Sequence, residues 1–224
     1  MSLEAPLFPA LGVVISGGHT FMVKMTGIGS YEPIGTTQDD AIGEAFDKVA
    51  AMLNLPYPGG PAIEQLAKKG NPSRFNFSPG RVKGRPWDFS FSGLKTSVLY
   101  AIKGANALKG APLLISEEEK ADVAAAFQET ALNDIVTKSL KAAHACDARA
   151  IFCGGGVSNS TRLKELFTEK NTSKIPLFFP PAELTTDNGA MIAGLGYHIF
   201  LHKKQGDSYD LEPNSSRKSL LNSL

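Results

Sequence analysis

Residues 12–20 read Gly-Val-Val-Ile-Ser-Gly-Gly-His-Thr, and the reading of this stretch decides the fold. Val13, Val14 and Ile15 form a β-branched run, which Ser16-Gly17-Gly18 interrupts. His19-Thr20 then leads into a second apolar run, Phe21-Met22-Val23. The pattern predicts a strand, a tight glycine turn and a returning strand. Glycines let backbone N–H groups come close to a ligand, and Ser16 and His19 place a hydroxyl and an imidazole beside them. That donor set suits an anion such as a phosphate. A plain hairpin accounts for the turn by itself equally well.

Working outward, a third strand is expected at 31–36, after Gly27-Ile28-Gly29. A helix follows over about 39–53, with Ile42, Phe46, Val49 and Leu53 at helical spacing and Asp39 and Asp40 at its N-terminus. Pro56-Tyr57-Pro58-Gly59-Gly60-Pro61 forces a rigid turn before a short helix over 61–69. Residues 70–95 read as irregular, and 104–116 as a Gly/Ala/Pro loop. Ser116 and Glu119 make a capping box that opens a long helix to Ala145. Its stripes Val123, Phe127, Ala131, Ile135 and Leu132, Val136, Leu140 give so wide an apolar face that the helix must be buried.

The last third alternates. Strands are expected at Ala148–Cys153 and Ile175–Phe179, and helices at Ser160–Lys170 and Asn188–Lys204, with a polar tail after Gly206. Strand–helix–strand–helix order implies a parallel sheet. A meander, a helix and then parallel units is the order of a ribonuclease-H-like α/β domain, the building block of actin-like ATPases, with a mixed sheet and flanking helices. Pattern alone also admits a flavodoxin-like or Rossmann-like sheet.

Composition narrows the class. The chain has 224 residues, 42% of them hydrophobic, and a net charge of +1, so it can bury a core and has no global pull towards nucleic acid or membrane. Cys146 and Cys153 lack metal-ligand spacing and do not suggest a disulfide framework. With no transmembrane-length apolar run and no signal peptide, the expectation is a cytoplasmic protein with no membrane partner. The opening Met-Ser-Leu-Glu-Ala-Pro-Leu-Phe-Pro reads as the interior of a longer protein opened at a loop.

Four further groups carry chemistry. Asp47 follows the core residue Phe46, at the margin of the buried face, where its carboxylate can accept from ribose hydroxyls or simply be solvated beside Lys48. Gly154-Gly155-Gly156 stands between a strand and a helix, at the sheet edge where α/β proteins bind ligands. Asp187 is either the N-cap of the last helix or a hard oxygen ligand for a metal. His198 and His202 are four apart on one helix, but Lys203 and Lys204 beside them suit a helix C-terminus better than a metal site. No HExxH zinc motif is present, which leaves a metalloprotease without support.

Between Lys68 and Lys95 stand seven cations (Lys68, Lys69, Arg74, Arg81, Lys83, Arg85, Lys95) against one acid, Asp88. Phe75, Phe77, Trp87, Phe89 and Phe91 are interleaved with them. Such a segment suits RNA, through phosphate contact and base stacking. It equally describes an insertion whose aromatics pack on the core while its cations are solvated.

Ile-Ser-Gly-Gly-His-Thr at 15–20, the run from Asp39 to Ala67, Phe-Ser-Phe-Ser-Gly-Leu-Lys-Thr at 89–96, Ala-Ala-Phe-Gln-Glu at 125–129, Gly-Gly-Gly-Val-Ser-Asn-Ser-Thr-Arg-Leu at 154–163 and Thr-Thr-Asp-Asn-Gly-Ala-Met-Ile-Ala-Gly at 185–194 occur together and in this order. Together they resemble the TsaD family of tRNA adenosine threonylcarbamoyltransferases. The resemblance implies an actin-like ATPase fold, and transfer of threonylcarbamoyl from its adenylate to the adenosine 3′ of the anticodon in tRNAs reading ANN codons. It implies that Ile15, Ser16, Gly17, Gly18 and His19 meet the phosphate side of ATP or threonylcarbamoyl-adenylate. Asp47 and Gly60 meet the ribose, and Gly155 and Gly156, with Asn159 and Ser160, lie near the adenine. Ser160 stands where the family carries asparagine.

It further implies one divalent metal, iron or zinc, with Asp187 matching one ligand. The family's HxxxH ligand pair is absent before residue 15. Implied partners are tRNA, a smaller paralogous actin-like subunit and a small ATPase subunit. By this resemblance residues 10–187 form the second actin-like lobe, with the basic insertion at about 68–110. Residues 188–204 form a closing helix that packs on a first lobe this chain lacks, and 205–224 a polar tail. The alternative is a non-catalytic nucleotide-binding or interaction module of the same fold.

Overall fold

A computed structural model describes residues 7–105, 111–206, 208–210 and 212 of the chain. The last five positions of the expected insertion, 106–110, and most of the expected tail lie outside the described residues. Strands β1 (Ala10–Ile15), β2 (Thr20–Gly27) and β3 (Ser30–Thr36) form the meander. Helices α1 (Ile42–Met52), α2 (Gly59–Ala67), α3 (Ser92–Lys103) and α4 (Glu117–Ala145) follow. Then come β4 (Ile151–Gly154), α5 (Thr161–Lys170), β5 (Leu177–Phe178) and α6 (Gly189–Lys203).

The five strands form one mixed sheet in the order β3-β2-β1-β4-β5. β1 pairs antiparallel with β2 and parallel with β4, and β4 pairs parallel with β5. This is the meander followed by parallel units that the sequence implies, and it is the ribonuclease-H-like arrangement. Side chains alternate faces along a strand. Leu11, Val13 and Ile15 therefore point together into the core, where they join Ile42, Phe46 and Val49 of α1 and Phe127, Leu132 and Ile135 of α4. Phe46 meets Phe127 edge-on at 4.9 Å between ring centroids. The expected capping box is present, with Ser116 Oγ accepting from the Glu119 N–H and the Glu119 carboxylate accepting from the Ser116 N–H.

Several boundaries differ from expectation. α1 starts at Ile42 with Ala41 as an N-cap that offers no side chain, so neither Asp39 nor Asp40 caps it. Asp39 is turned to α3 instead. It accepts from the backbone N–H groups of Phe91 (2.8 Å) and Ser92 (3.3 Å) and from both serine hydroxyls, Ser90 (2.6 Å) and Ser92 (2.7 Å). Asp40 forms ion pairs with Lys48 at 2.8 Å and with Lys95. α3 itself lies across a stretch read as irregular or left without assignment, and it buries the stripe Leu94, Val98, Ile102. α2 starts two residues earlier than expected, so Gly59-Gly60 is its first turn and no separate turn. β4 and β5 are shorter than the apolar runs that suggested them.

The aromatics of the 68–95 segment pack inward. Phe89 and Phe91 are fully buried, and Phe75, Phe77 and Trp87 lie half-buried against the core. Phe89 and Phe91 are therefore enclosed, while Phe75, Phe77 and Trp87 each keep part of the ring at the surface. The cations Lys68, Lys69, Arg74, Arg81, Lys83 and Arg85 keep their charges at the surface. The segment thus packs its aromatics wholly or partly on the core and presents its charges to solvent.

Candidate functional site

The register of β1 and β4 builds the site. Val14 pairs with Gly154, so both strands end at the same sheet edge. The Ser16–His19 turn and the short 3-10 turn Gly156–Asn159 therefore emerge side by side. The first turn closes on itself, because the Ser16 N–H donates to the His19 carbonyl (2.8 Å) and the His19 N–H donates to Ser16 Oγ (3.0 Å). Thr20 is fully buried, and its hydroxyl accepts from the Ile42 N–H at 2.8 Å, locking the end of the turn to the start of α1.

Two glycines let these loops meet. A Cβ on Gly43 would stand 2.7 Å from Gly17 Cα, and one on Gly155 would stand 2.4 Å from the Ile15 carbonyl oxygen. Gly155 also has φ +90°, which glycine alone adopts readily. Gly17, Gly18, Gly60 and Gly156 are different, since a Cβ on any of them meets nothing within 4 Å. Gly17 and Gly18 are exposed, and their N–H groups have no partner among the described residues. Adjacent free N–H donors on a glycine turn form an anion-binding concavity.

Asp47 lies on α1 facing the start of α2. Its Oδ1 accepts from the Gly59 N–H at 2.7 Å, so it caps α2 from outside, while Oδ2 has no partner among the described residues. Half of this carboxylate is structural and half is available. Ser160 is the N-cap of α5, with its hydroxyl accepting from the Leu163 N–H at 3.4 Å. Asn159 beside it is exposed. The sequence missed Glu64, whose carboxylate accepts from the Thr161 N–H at 2.9 Å and ties α2 to the start of α5. A cavity of about 160 Å³ opens beside this tie between α2, α4 and α5, with Glu64, Lys68, Gln128 and Arg162 among its lining. Arg162 there bonds Glu129 in two places and also Glu165 and Glu169, which holds its guanidinium well above its ordinary pKa.

Ile15 to His19 and the 155–160 turn are thus brought to one edge, with Gly43 of α1 packed on them, while Asp47 is one turn further along α1, bonded to the start of α2. No hydrogen bond or ion pair joins Asp187 to them. The N-cap of α6 is Asn188, which accepts from the Met191 N–H at 3.0 Å, so the reading of Asp187 as that cap is corrected. Asp187 is exposed, with no partner among the described residues. His198 and His202 line a space of about 480 Å³ with Phe8, Ile28 and Leu201. No three His, Cys, Asp or Glu residues group as metal ligands among the described residues. Among the described residues there is thus no complete ligand set for the metal the resemblance implies.

The chain matches the tRNA N6-adenosine threonylcarbamoyltransferase family over residues 1–194. It belongs to that family. A threonylcarbamoyltransferase of Protochlamydia amoebophila is 58% identical over 206 residues, which are 92% of this chain and 60% of that protein. The Chlamydia caviae threonylcarbamoyltransferase is 50% identical, with 91% of this chain and 58% of that protein covered. This chain therefore spans about three fifths of the length of these two threonylcarbamoyltransferases. The crystal structure of T. kodakarensis HypF shares the fold, with a TM-score of 0.55 at 19% identity over 73% of this chain and 20% of that one. No helix among the described residues is long and apolar enough to cross a membrane.

Proposed function

We propose that this chain is the ligand-holding lobe of a tRNA adenosine threonylcarbamoyltransferase. The observation that carries the reading is the junction of the two glycine loops, where Gly43 and Gly155 are packed tight while Gly17, Gly18, Gly60 and Gly156 are left open. In this reading the free N–H groups of Gly17 and Gly18 receive phosphate oxygens of ATP or threonylcarbamoyl-adenylate. Asp47 Oδ2 accepts from a ribose hydroxyl, and Asn159 and Ser160 border the base. The lobe's contribution to transfer is orientation, which holds the acyl carbonyl where an incoming adenosine amine can reach it.

The surface cations of the insertion are proposed to contact tRNA phosphates. Arg85 pairs with Asp88 at 3.4 Å and Lys95 with Asp40, while Lys68, Lys69, Arg74, Arg81 and Lys83 have no partner among the described residues. These five are the available contacts. In this reading binding rests on phosphate attraction, which positions an RNA without reading its sequence.

Asp187 is proposed as one oxygen ligand of the family's metal, iron or zinc, with the remaining ligands supplied outside the described residues. α6 is proposed to pack on the further lobe that the longer relatives have room for. It has no buried residue, and Met191, Ile192, Leu195, Tyr197, Phe200 and Leu201 are all exposed. A helix apolar all round is a buried helix in its complete setting. Turnover is therefore not assigned to this chain by itself. The test is calorimetric titration of ATP into the chain and its Asp47→Asn variant, which keeps one oxygen for the Gly59 N–H. Weaker binding without loss of melting temperature supports the reading, and equal affinity overturns it.

A further inference from the structure

Tyr57 is 85% exposed, and it makes no hydrogen bond and no contact with another ring among the described residues. The segment that carries it is nonetheless held at both ends. Before Pro56-Tyr57-Pro58, the Leu55 N–H donates to the Ala50 carbonyl at 2.9 Å, and the Leu55 side chain packs against the core. After it, the Gly59 N–H donates to Asp47 Oδ1 at 2.7 Å. Gly59 is buried so close to α1 that a Cβ on it would stand 2.6 Å from Asp47 Cα. Asp47 and Ala50 are three positions apart and share one face of α1.

Three residues therefore project from a helix face that fixes both their ends, with the ring at the tip. Proline on each side of Tyr57 restricts the backbone further. A tyrosine held this way offers a large flat face and gives up little freedom on binding. Its place gives the class of ligand. Tyr57 stands two residues before Gly59, and so lies beside Asp47, whose Oδ2 is read above as the ribose contact of a bound nucleotide. The base of that nucleotide is read beside Asn159 and Ser160, which leaves Tyr57 without a role in it. Transfer from an adenylate to an adenosine amine needs a second nucleoside at the same site, and in tRNA that nucleoside comes from a loop. Unpaired loop bases are recognised by stacking on aromatic side chains.

We propose that Tyr57 is an RNA-contact residue, whose ring stacks on an unpaired base of the tRNA beside the ribose end of the nucleotide site. The inference rests on the nucleotide and tRNA readings above and adds a base contact to the phosphate contacts. Stacking joins uncharged groups and releases no counterions, so it strengthens binding without changing its salt dependence. The contributions of Tyr57 and of the basic segment are separable on that ground.

The experiment measures binding of an unmodified ANN-reading tRNA to wild type, Tyr57→Ala and Tyr57→Trp over a salt series, with ATP titration and thermal melting of each protein. Tyr57→Ala should bind tRNA about five- to thirtyfold more weakly, with the log–log salt slope of wild type. Tyr57→Trp, which keeps a flat ring, should stay within about twofold of wild type or bind more tightly. ATP affinity and melting temperature should be unchanged in both variants, because the side chain is exposed and serves the RNA. Equal tRNA affinity in Tyr57→Ala and wild type overturns the assignment and leaves the ring to a protein surface such as the further lobe. A parallel fall in ATP affinity overturns it as well, because the ring would then serve the nucleotide. So does a flattened salt slope, a lowered melting temperature in Tyr57→Ala, or a loss of affinity that tryptophan does not restore. A wild type that binds no tRNA at all overturns the tRNA reading and this inference together.

Discussion

The backbone N–H of Gly43 donates to the Ser16 carbonyl at 3.2 Å, and a side chain at Gly43 would stand 2.7 Å from Gly17 Cα. The first turn of α1 is thus pressed onto the glycine turn after β1. The helix that carries Asp47 and the loop that carries the free N–H donors are therefore in direct contact.

This contact sets the first prediction. Gly43→Ala and Gly155→Ala each place a methyl group within 3 Å of backbone atoms. Each should cost about 1–3 kcal/mol by overpacking, with the larger loss at Gly155 because its φ also becomes strained. Gly156→Ala, with open space around it, should stay within about 0.5 kcal/mol of wild type. Urea unfolding of the three variants checks the ranking, and a Gly156→Ala loss as large as the other two would mean that close packing does not set these costs.

The acid limb of stability should run through Asp39 and Asp40. Burial raises the Asp39 carboxyl, but hydrogen bonds from Ser90, Phe91 and Ser92 outweigh it and leave the pKa below its ordinary 3.8. Asp40 is likewise raised by burial and lowered further by Lys48 and Lys95, for a net fall below 3.8. A folded pKa below the unfolded one gives stability that is present above about pH 4 and lost as the pH falls through the lower folded value. Asp134 runs the other way, because burial raises its pKa despite Lys138 and its contribution weakens as pH rises. Asp39→Asn should therefore be less stable than wild type at neutral pH and show a shallower acid loss, measured by denaturant midpoints over about pH 2–7.

The tRNA surface is tested by salt. Arg74→Ala, Arg81→Ala and Lys83→Ala combined remove three exposed cations that hold no internal partner among the described residues. If all three meet phosphate, the log–log salt slope of tRNA binding should flatten by about 2–3 units. An unchanged slope would place tRNA on another face. Arg85 and Lys95 make poorer probes, since each already serves a carboxylate.

α6 offers a separate check on the proposed further lobe. Ile192→Glu and Leu195→Glu alter side chains that are 65% and 39% exposed, so the chain itself should unfold within about 0.5 kcal/mol of wild type. In a full-length relative carrying the same changes at the aligned positions, the loss should be several-fold larger. Equal effects in both would mean that nothing covers the helix.

Much of this was readable in the sequence because it is local. The β-branched run of β1, the Ser116–Glu119 box and the long apolar face of α4 each follow from residues within a few positions of one another. What the sequence hid is paired across distance. The stripe Leu94, Val98, Ile102 is present in α3, but Gly93, Thr96 and Ser97 blur it, and its N-terminus is capped by Asp39 from 52 residues away. Asp47 could be read as a marginal carboxylate, but its bond to the Gly59 N–H could not. The same holds for Glu64 and Thr161, where 97 residues separate the partners.

If the open glycine turn receives the phosphates of an adenine nucleotide, Gly18→Val should show it most directly. A Cβ at Gly18 meets nothing within 4 Å, so the variant should fold as wild type does, while its branched side chain fills the space a phosphate needs. Titration of ATP into both proteins by calorimetry should show affinity at least about tenfold weaker in the variant, with melting temperatures about equal. Wild-type affinity in a stably folded Gly18→Val protein would mean that the turn holds no phosphate.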